Sequence, residues 1–267
     1  PDKKIFTLKT GTILEEYSYK VKNEIIPNNN NMSSEYLLNA IVMSTMTTLF
    51  SDVMKNGFTK KTIPILLFLI LIYTSGAIGM WINPQAFIPY TPVVMLIFAG
   101  YFSYVHRFES AGFFITLIGI GVLSFAIEAI GVNTGFVFGN YHYGTAFGTA
   151  FLGVPLAIGL NWIVVLTACW GVFSFYKLPL MVHCALSATL CTFIDMLMEP
   201  LAPQFNWWFF SEGFAGPYNY LSWFLWSFIL GYVFKTALFQ VKFRAAGHWL
   251  LLNIIYFLIL NIKRFVI

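Results

Sequence analysis

The stretch GFFITLIGIGVLSFAIEAIGVNTGFVFGNYHYG, Gly112 to Gly144, decides how the chain is read. Its first part, Gly112–Ile130, is an apolar run of about the ~20 residues a helix needs to cross a hydrocarbon core. It carries a single ionisable side chain, Glu128, near its end. From there the sequence turns into a polar island of Gly, Asn, Tyr and His. A carboxylate at the centre of a spanning helix costs ~2.5–3.5 kcal/mol on insertion scales, so an acid placed at the edge of such a run needs a purpose. A second island has the same character: DMLMEPLAPQFNWW from Asp195, continuing to PYNYLSW, which ends at Trp223. It adds Asp195 and Glu199 to Glu128.

The rest of the composition agrees with a membrane reading. The 267 residues are 58% hydrophobic, 19% aromatic and 10% charged, against roughly 25% charged in a soluble domain. The net charge is +4, but Lys and Arg fall at the ends of apolar runs, which is a topology signal and excludes a nucleic-acid patch. Cys169, Cys184 and Cys191 all lie inside apolar runs without a Cys-x-x-Cys pair, so they read as packing residues and neither a disulfide framework nor a zinc site is expected.

Residues 1–62 read as a polar arm with an amphipathic stretch at Glu35–Val53, too broken by Asn39, Ser44, Thr45, Thr47 and Thr48 to span. No cleavable signal pattern is expected there. Residues 63–267 read as an all-α, polytopic transmembrane bundle of about seven spans: Ile63–Trp81, Thr91–Val105, Gly112–Ile130, Leu152–Phe175, Leu178–Met198, Leu221–Phe239 and Ala246–Ile262. Lys55, Lys60, Lys61, Arg107, Lys177, Lys235, Lys242 and Arg244 mark the basic ends. The loops 82–90, 131–151 and 199–220 contain neither Lys nor Arg, and the positive-inside rule puts them on the outer side. Lys263 and Arg264 run against this assignment and are outweighed.

That orientation brings both islands to one side of the membrane. Glu128 ends the third span, and Asp195 and Glu199 end the fifth, four residues apart and so on one helical face. Two carboxylates in one poorly solvated site do not both ionise easily, so one is expected to keep its proton and serve as a general acid. The bland alternatives are a solvated helix end for Glu128 and an interfacial aromatic belt for the Tyr and Trp residues. The belt suits Trp81, Tyr90 and Trp249; the cluster from Phe205 to Trp226 is too dense for it. His142, between Tyr141 and Tyr143, is a candidate for orienting water or a carboxylate.

The pattern E-x-x-G-x-x-x-G-x-x-F-G-x-Y-x-Y, from Glu128 to Tyr143, resembles the signature of the membrane carotenoid hydratases. So does its continuation through Gly148, Gly153-Val154-Pro155 and Trp162. The second island, with Asp195, Glu199-Pro200, Ala202, the Trp pair and Pro217-x-Asn219-x-x-x-Trp223, is similar to that family's other block. The likeness covers about residues 63–260. It departs at Val137, where proline is common, at the adjacent Trp207 and Trp208, and in residues 1–53, which have no counterpart; Met54 is an alternative start.

The resemblance implies a hydro-lyase that adds water across the C1=C2 bond of an acyclic carotenoid end group, giving a tertiary alcohol, with no cofactor and no metal. It implies Asp195, Glu199 and Glu128 as catalytic residues, with Asn133, Tyr141, His142, Tyr143, Trp162, Trp208, Asn219 and Trp223 around the substrate. The partners would be a lipid-soluble carotenoid, water, membrane lipid and other carotenoid-pathway enzymes, in a bacterial cytoplasmic membrane with the site toward the outer side. Other classes stay open. Another carotenoid- or isoprenoid-modifying membrane enzyme comes next. A carrier would be expected to show inverted repeats. A retinal-type receptor would need a lysine midway along the last span, where Asn253 and Tyr256 stand instead.

Overall fold

The computed structural model describes residues 63–266, apart from 107–108, 239–240 and 242–245. The arm expected over residues 1–62 lies outside these described residues. The remainder is mostly helical. Seven long helices are labelled here in chain order: α1 Ile63–Ile82, α2 Thr91–Val105, α3 Ala111–Thr134, α4 Leu156–Phe173, α5 Leu180–Met198, α6 Pro217–Val233 and α7 Ala246–Val266. Short helical turns at Pro84–Phe87 and Ile88–Tyr90 lead into α2, and another at Lys235–Leu238 follows α6.

Local chemistry sets several of these boundaries. The Ser110 hydroxyl caps α3 by accepting from the Phe113 N–H at 3.3 Å. Proline stands at the first turn of α2 and of α6, where its missing N–H costs nothing. Pro84–Val105, α3, α4 and α5 are long and apolar enough to cross a membrane; α1 and α7 contain shorter apolar helices, Leu66–Ile82 and Ala246–Ile262.

Burial runs inside out in the way a bilayer demands. Helix α4 is the most enclosed of the four long candidates and packs against α2, α3, α5, α6 and α7. Trp162, Leu166 and Trp170 on it are fully buried. The outward faces carry large apolar side chains: Leu71 is 63% exposed, Ile115 67% and Val122 62%. Helices α3 and α4 cross closely at two small residues. A Cβ on Gly159 would come within 3.1 Å of the Gly121 carbonyl oxygen, so side chains here would force the helices apart. That close crossing carries Glu128, two turns beyond Gly121, to within reach of Trp162.

The loops at one end of the bundle are not wholly irregular, which an all-α reading omits. Strand β1, Tyr141–Tyr143, pairs antiparallel with β4, Trp208–Phe210, with Tyr141 opposite Phe210 and Tyr143 opposite Trp208. The two polar islands are thereby joined by backbone hydrogen bonds. The ribbon continues through Gly144 N–H to the Trp207 carbonyl at 2.9 Å and Ser211 N–H to the Asn140 carbonyl at 2.9 Å. Gly144 is required at this junction, because a Cβ would lie 2.2 Å from the Asn206 carbonyl oxygen. A second small hairpin pairs β2, Ala150–Phe151, with β3, Val154–Pro155. Its turn residues Leu152 (φ 51°) and Gly153 (φ 80°) both have positive φ, as the tightest hairpin turns need. The fourth span was expected to begin at Leu152; it begins at Leu156, because residues 150–155 form this hairpin.

Candidate active site

Glu128 is buried near the end of α3 and is held on three sides. The Trp162 indole N–H donates to its Oε1 at 2.8 Å. The Tyr143 hydroxyl donates to Oε2 at 2.9 Å, and the Tyr141 hydroxyl donates to the same oxygen. Three donors on two oxygens suit an ionised carboxylate. Burial first, and the neighbouring Glu128 charge second, push the Tyr141 and Tyr143 phenols up from their ordinary range, so both remain protonated donors.

The period of a strand explains which members of Tyr141-His142-Tyr143 face inward. Alternate side chains of β1 point to opposite faces, so the two tyrosines turn to Glu128 and His142 turns away. His142 is exposed and stacks on Phe209 of the partner strand at 5.3 Å, outside the cavity. Asn133 also lies elsewhere. It is exposed at the end of α3 and donates to the Ala129 carbonyl at 2.8 Å and the Leu152 carbonyl at 2.9 Å, pinning the hairpin turn to the helix. These two residues, expected around the substrate, do not line the cavity and instead make contacts outside it.

Asp195 and Glu199 sit at the end of α5, one turn apart as their spacing requires. The Asn219 side-chain amide, from the first turn of α6, bridges them: it donates to Asp195 Oδ2 at 2.9 Å and to Glu199 Oε1 at 3.3 Å. The Trp208 indole N–H donates to Glu199 Oε2 at 3.2 Å. Burial pushes the Glu199 carboxyl up to about 7, with Glu128's charge adding to the rise and the Trp208 and Asn219 bonds opposing it. Asp195 is 1% exposed, and among the described residues its carboxylate takes one hydrogen bond, from Asn219.

Glu128, Tyr141, Tyr143, Trp162, Asp195, Glu199, Trp208, Asn219 and Trp223 all line one cavity. Its free volume of about 30 Å³ leaves room for a water molecule or two. Trp223 stacks face to face on Trp162 at 4.2 Å and 6°. Phe138, Phe210, Ile158, Asn161 and Met198 complete the wall. Of these, Phe210 is placed by its pairing with Tyr141, and Asn161 had a signal in the sequence, a lone amide inside an apolar run. Chemically, the arrangement offers a water-sized space among three carboxylates and several indole and phenyl faces. It can hold a proton, a cation and a water in close proximity.

The family model for "carotenoid biosynthesis protein" matches residues 88–266, two thirds of the chain, and the chain belongs to that family. Among individual proteins it is similar to the bisanhydrobacterioruberin hydratase of Haloarcula japonica. The two are 29% identical over 171 residues, which is 57% of this chain and 55% of that protein, so the chain spans about half the length of this relative. No solved structure matches the chain.

Proposed function

We propose that residues 63–267 form a seven-span carotenoid hydratase whose site lies toward the outer side of a bacterial cytoplasmic membrane. The reaction adds water across the C1=C2 bond of an acyclic carotenoid end group. The observation that carries the reading is the convergence of Glu128, Asp195 and Glu199 on one small cavity within an otherwise apolar bundle. Family membership and the name of the relative support the substrate class and the reaction type.

In this mechanism Asp195 transfers its proton to C2, and the C1–C2 π electrons form the new C–H bond, leaving a tertiary cation at C1. The indole and phenyl faces and the Glu128 charge stabilise that cation. The oxygen of a water held by Glu199 bonds to C1, and the proton it sheds passes to the Glu199 carboxylate. Relay of that proton back to Asp195 restores the site. Expression in a carotenoid-producing host tests the reading directly: mass spectrometry should find a gain of one water per acyclic end. An unchanged pigment profile with the protein present in the membrane counts against it.

The pH profile gives a second test. With its carboxyl pushed up to about 7, Glu199 is protonated below that pH and cannot accept a proton from water. Turnover should therefore fall as pH drops through about 7, and in Glu199→Gln the limb should vanish at a uniformly low rate. Trp208→Phe removes one of the bonds that favour the charged form, so the limb should move to higher pH. A limb that moves to lower pH would contradict the assignment of Glu199 as base.

A further inference from the structure

Three cavities share walls in series. The carboxylate cavity shares Asn161, Met198 and Trp208 with a second cavity of about 150 Å³ free volume, walled chiefly by apolar and aromatic side chains. The second shares Tyr73 and Tyr256 with a third, of about 210 Å³, on the seam between α1 and α7. Residues of that seam such as Ile78 (54% exposed) and Ile255 (45%) stand on the outer surface of the bundle, so the third cavity opens toward lipid.

Lengths decide what the series can hold. The second cavity follows α2 from Thr91 to Phe98, which is roughly 10 Å at 1.5 Å per residue. An acyclic polyene is comparable in length to the ~30 Å hydrocarbon core. With its end among the carboxylates, such a molecule fills the second cavity with about a third of its length and must then emerge. The third cavity lies in that path. The second cavity's walls include flat rings, Phe98, Phe147, Trp207 and Phe257, which match a rigid planar chain better than a flexible acyl chain. Asn161 stands at the junction, half-buried, with a side-chain amide that makes no hydrogen bond among the described residues.

We propose that the second cavity binds the polyene body of the substrate, which enters from the bilayer through the α1–α7 seam between Tyr73 and Tyr256 and presents its terminal double bond past Asn161. This rests on the hydratase reading. Tyr73 and Tyr256 meet edge to face at 5.6 Å, and the Asn253 amide donates to the Tyr73 hydroxyl. Contacts of these kinds are individually weak enough to part for a ligand.

Gly76→Leu tests the proposal. Gly76 lines the second cavity, and a Cβ there meets only Tyr256 Cε2 at an ordinary 3.7 Å, so a longer side chain grows into the space. Leucine also suits a helix better than glycine. The full-length protein in lipid nanodiscs is assayed with lycopene and with geraniol, which carries the same isopropylidene end without the polyene. Lycopene hydration and the lycopene retained by the purified protein should both fall roughly 10–100-fold, the scale of overpacking an apolar site. Geraniol has only the end unit to seat and no polyene body, so its hydration should fall much less than lycopene hydration. Val94→Phe, a plug from α2, should give the same split.

Unchanged lycopene retention in both variants overturns the proposal and leaves the cavity to bilayer lipid. Parallel loss on both probes in both variants also overturns it. If the wild type retains lycopene but hydrates neither probe, the hydratase reading fails, while loss of retention in Gly76→Leu still supports the groove.

Discussion

Replacing Asp195 with asparagine is expected to lower hydration ~10²–10⁴-fold, the usual scale for loss of a general acid. The three carboxylates of the cavity differ in what already occupies their oxygens. Glu128 receives three donors, and Glu199 receives one on each oxygen. Among the described residues Asp195 receives one bond, on Oδ2 from Asn219, so its Oδ1 can carry the proton. Asparagine preserves the shape and can still accept from Asn219 through its amide oxygen, so the fold should be kept. It cannot surrender a proton to carbon. The check is turnover of the purified variant in lipid, alongside retention of the polyene, which should be close to wild type because apolar contact holds it. Near wild-type turnover for Asp195→Asn beside a dead Glu199→Gln would pass the acid role to Glu199.

The parts of this site that were legible in the sequence share a physical reason. Glu128, Asp195 and Glu199 stand out because ionisable groups are costly in apolar helices, and the four-residue spacing of the last two already fixes them on one helical face. Trp162, Trp208, Asn219 and Trp223 could be singled out with them, and all four line the cavity. The helices were legible from apolar run length, with ends misjudged by a few residues, as at Leu156.

What could not be read was long-range pairing. Nothing local in Tyr141-His142-Tyr143 announces that it will pair with Trp208–Phe210, and a helical or coil reading of the loop treats its three side chains alike. Once the strand exists, its two-residue period separates the tyrosines from His142. Asn133 was read as a ligand for want of knowledge of the Leu152 carbonyl, nineteen residues away, which it ties down. Asn161 was passed over beside the more conspicuous Trp162. The apolar cavity built by α1, α2, α4, α5 and α7 depends on how five helices pack, which apolar runs alone do not specify.

Truncating Glu128 to alanine should be the most destabilising change in the site. It leaves the Trp162 indole N–H and the Tyr141 and Tyr143 hydroxyls without their shared acceptor. An unsatisfied buried donor costs about 1–3 kcal/mol. The half-buried Tyr143 can recruit water from the cavity, so the sum is nearer ~3–5 kcal/mol, a large share of the ~5–15 kcal/mol that holds a typical domain together. Glu128→Gln is the informative companion. Its amide oxygen can accept from both tyrosines, but its NH₂ then faces the Trp162 N–H, donor against donor. The expected loss is ~1–3 kcal/mol, confined to that one contact. Trp162→Phe removes the opposing donor but also the buried indole stacked on Trp223, so the double variant should lose less than the two single losses added together, a coupling that independent sites would not show. Thermal unfolding in detergent measures the four variants beside the wild type. If Glu128→Ala melts with the wild type, or if the two single losses simply add, the three-donor cradle does not support this end of the bundle as described.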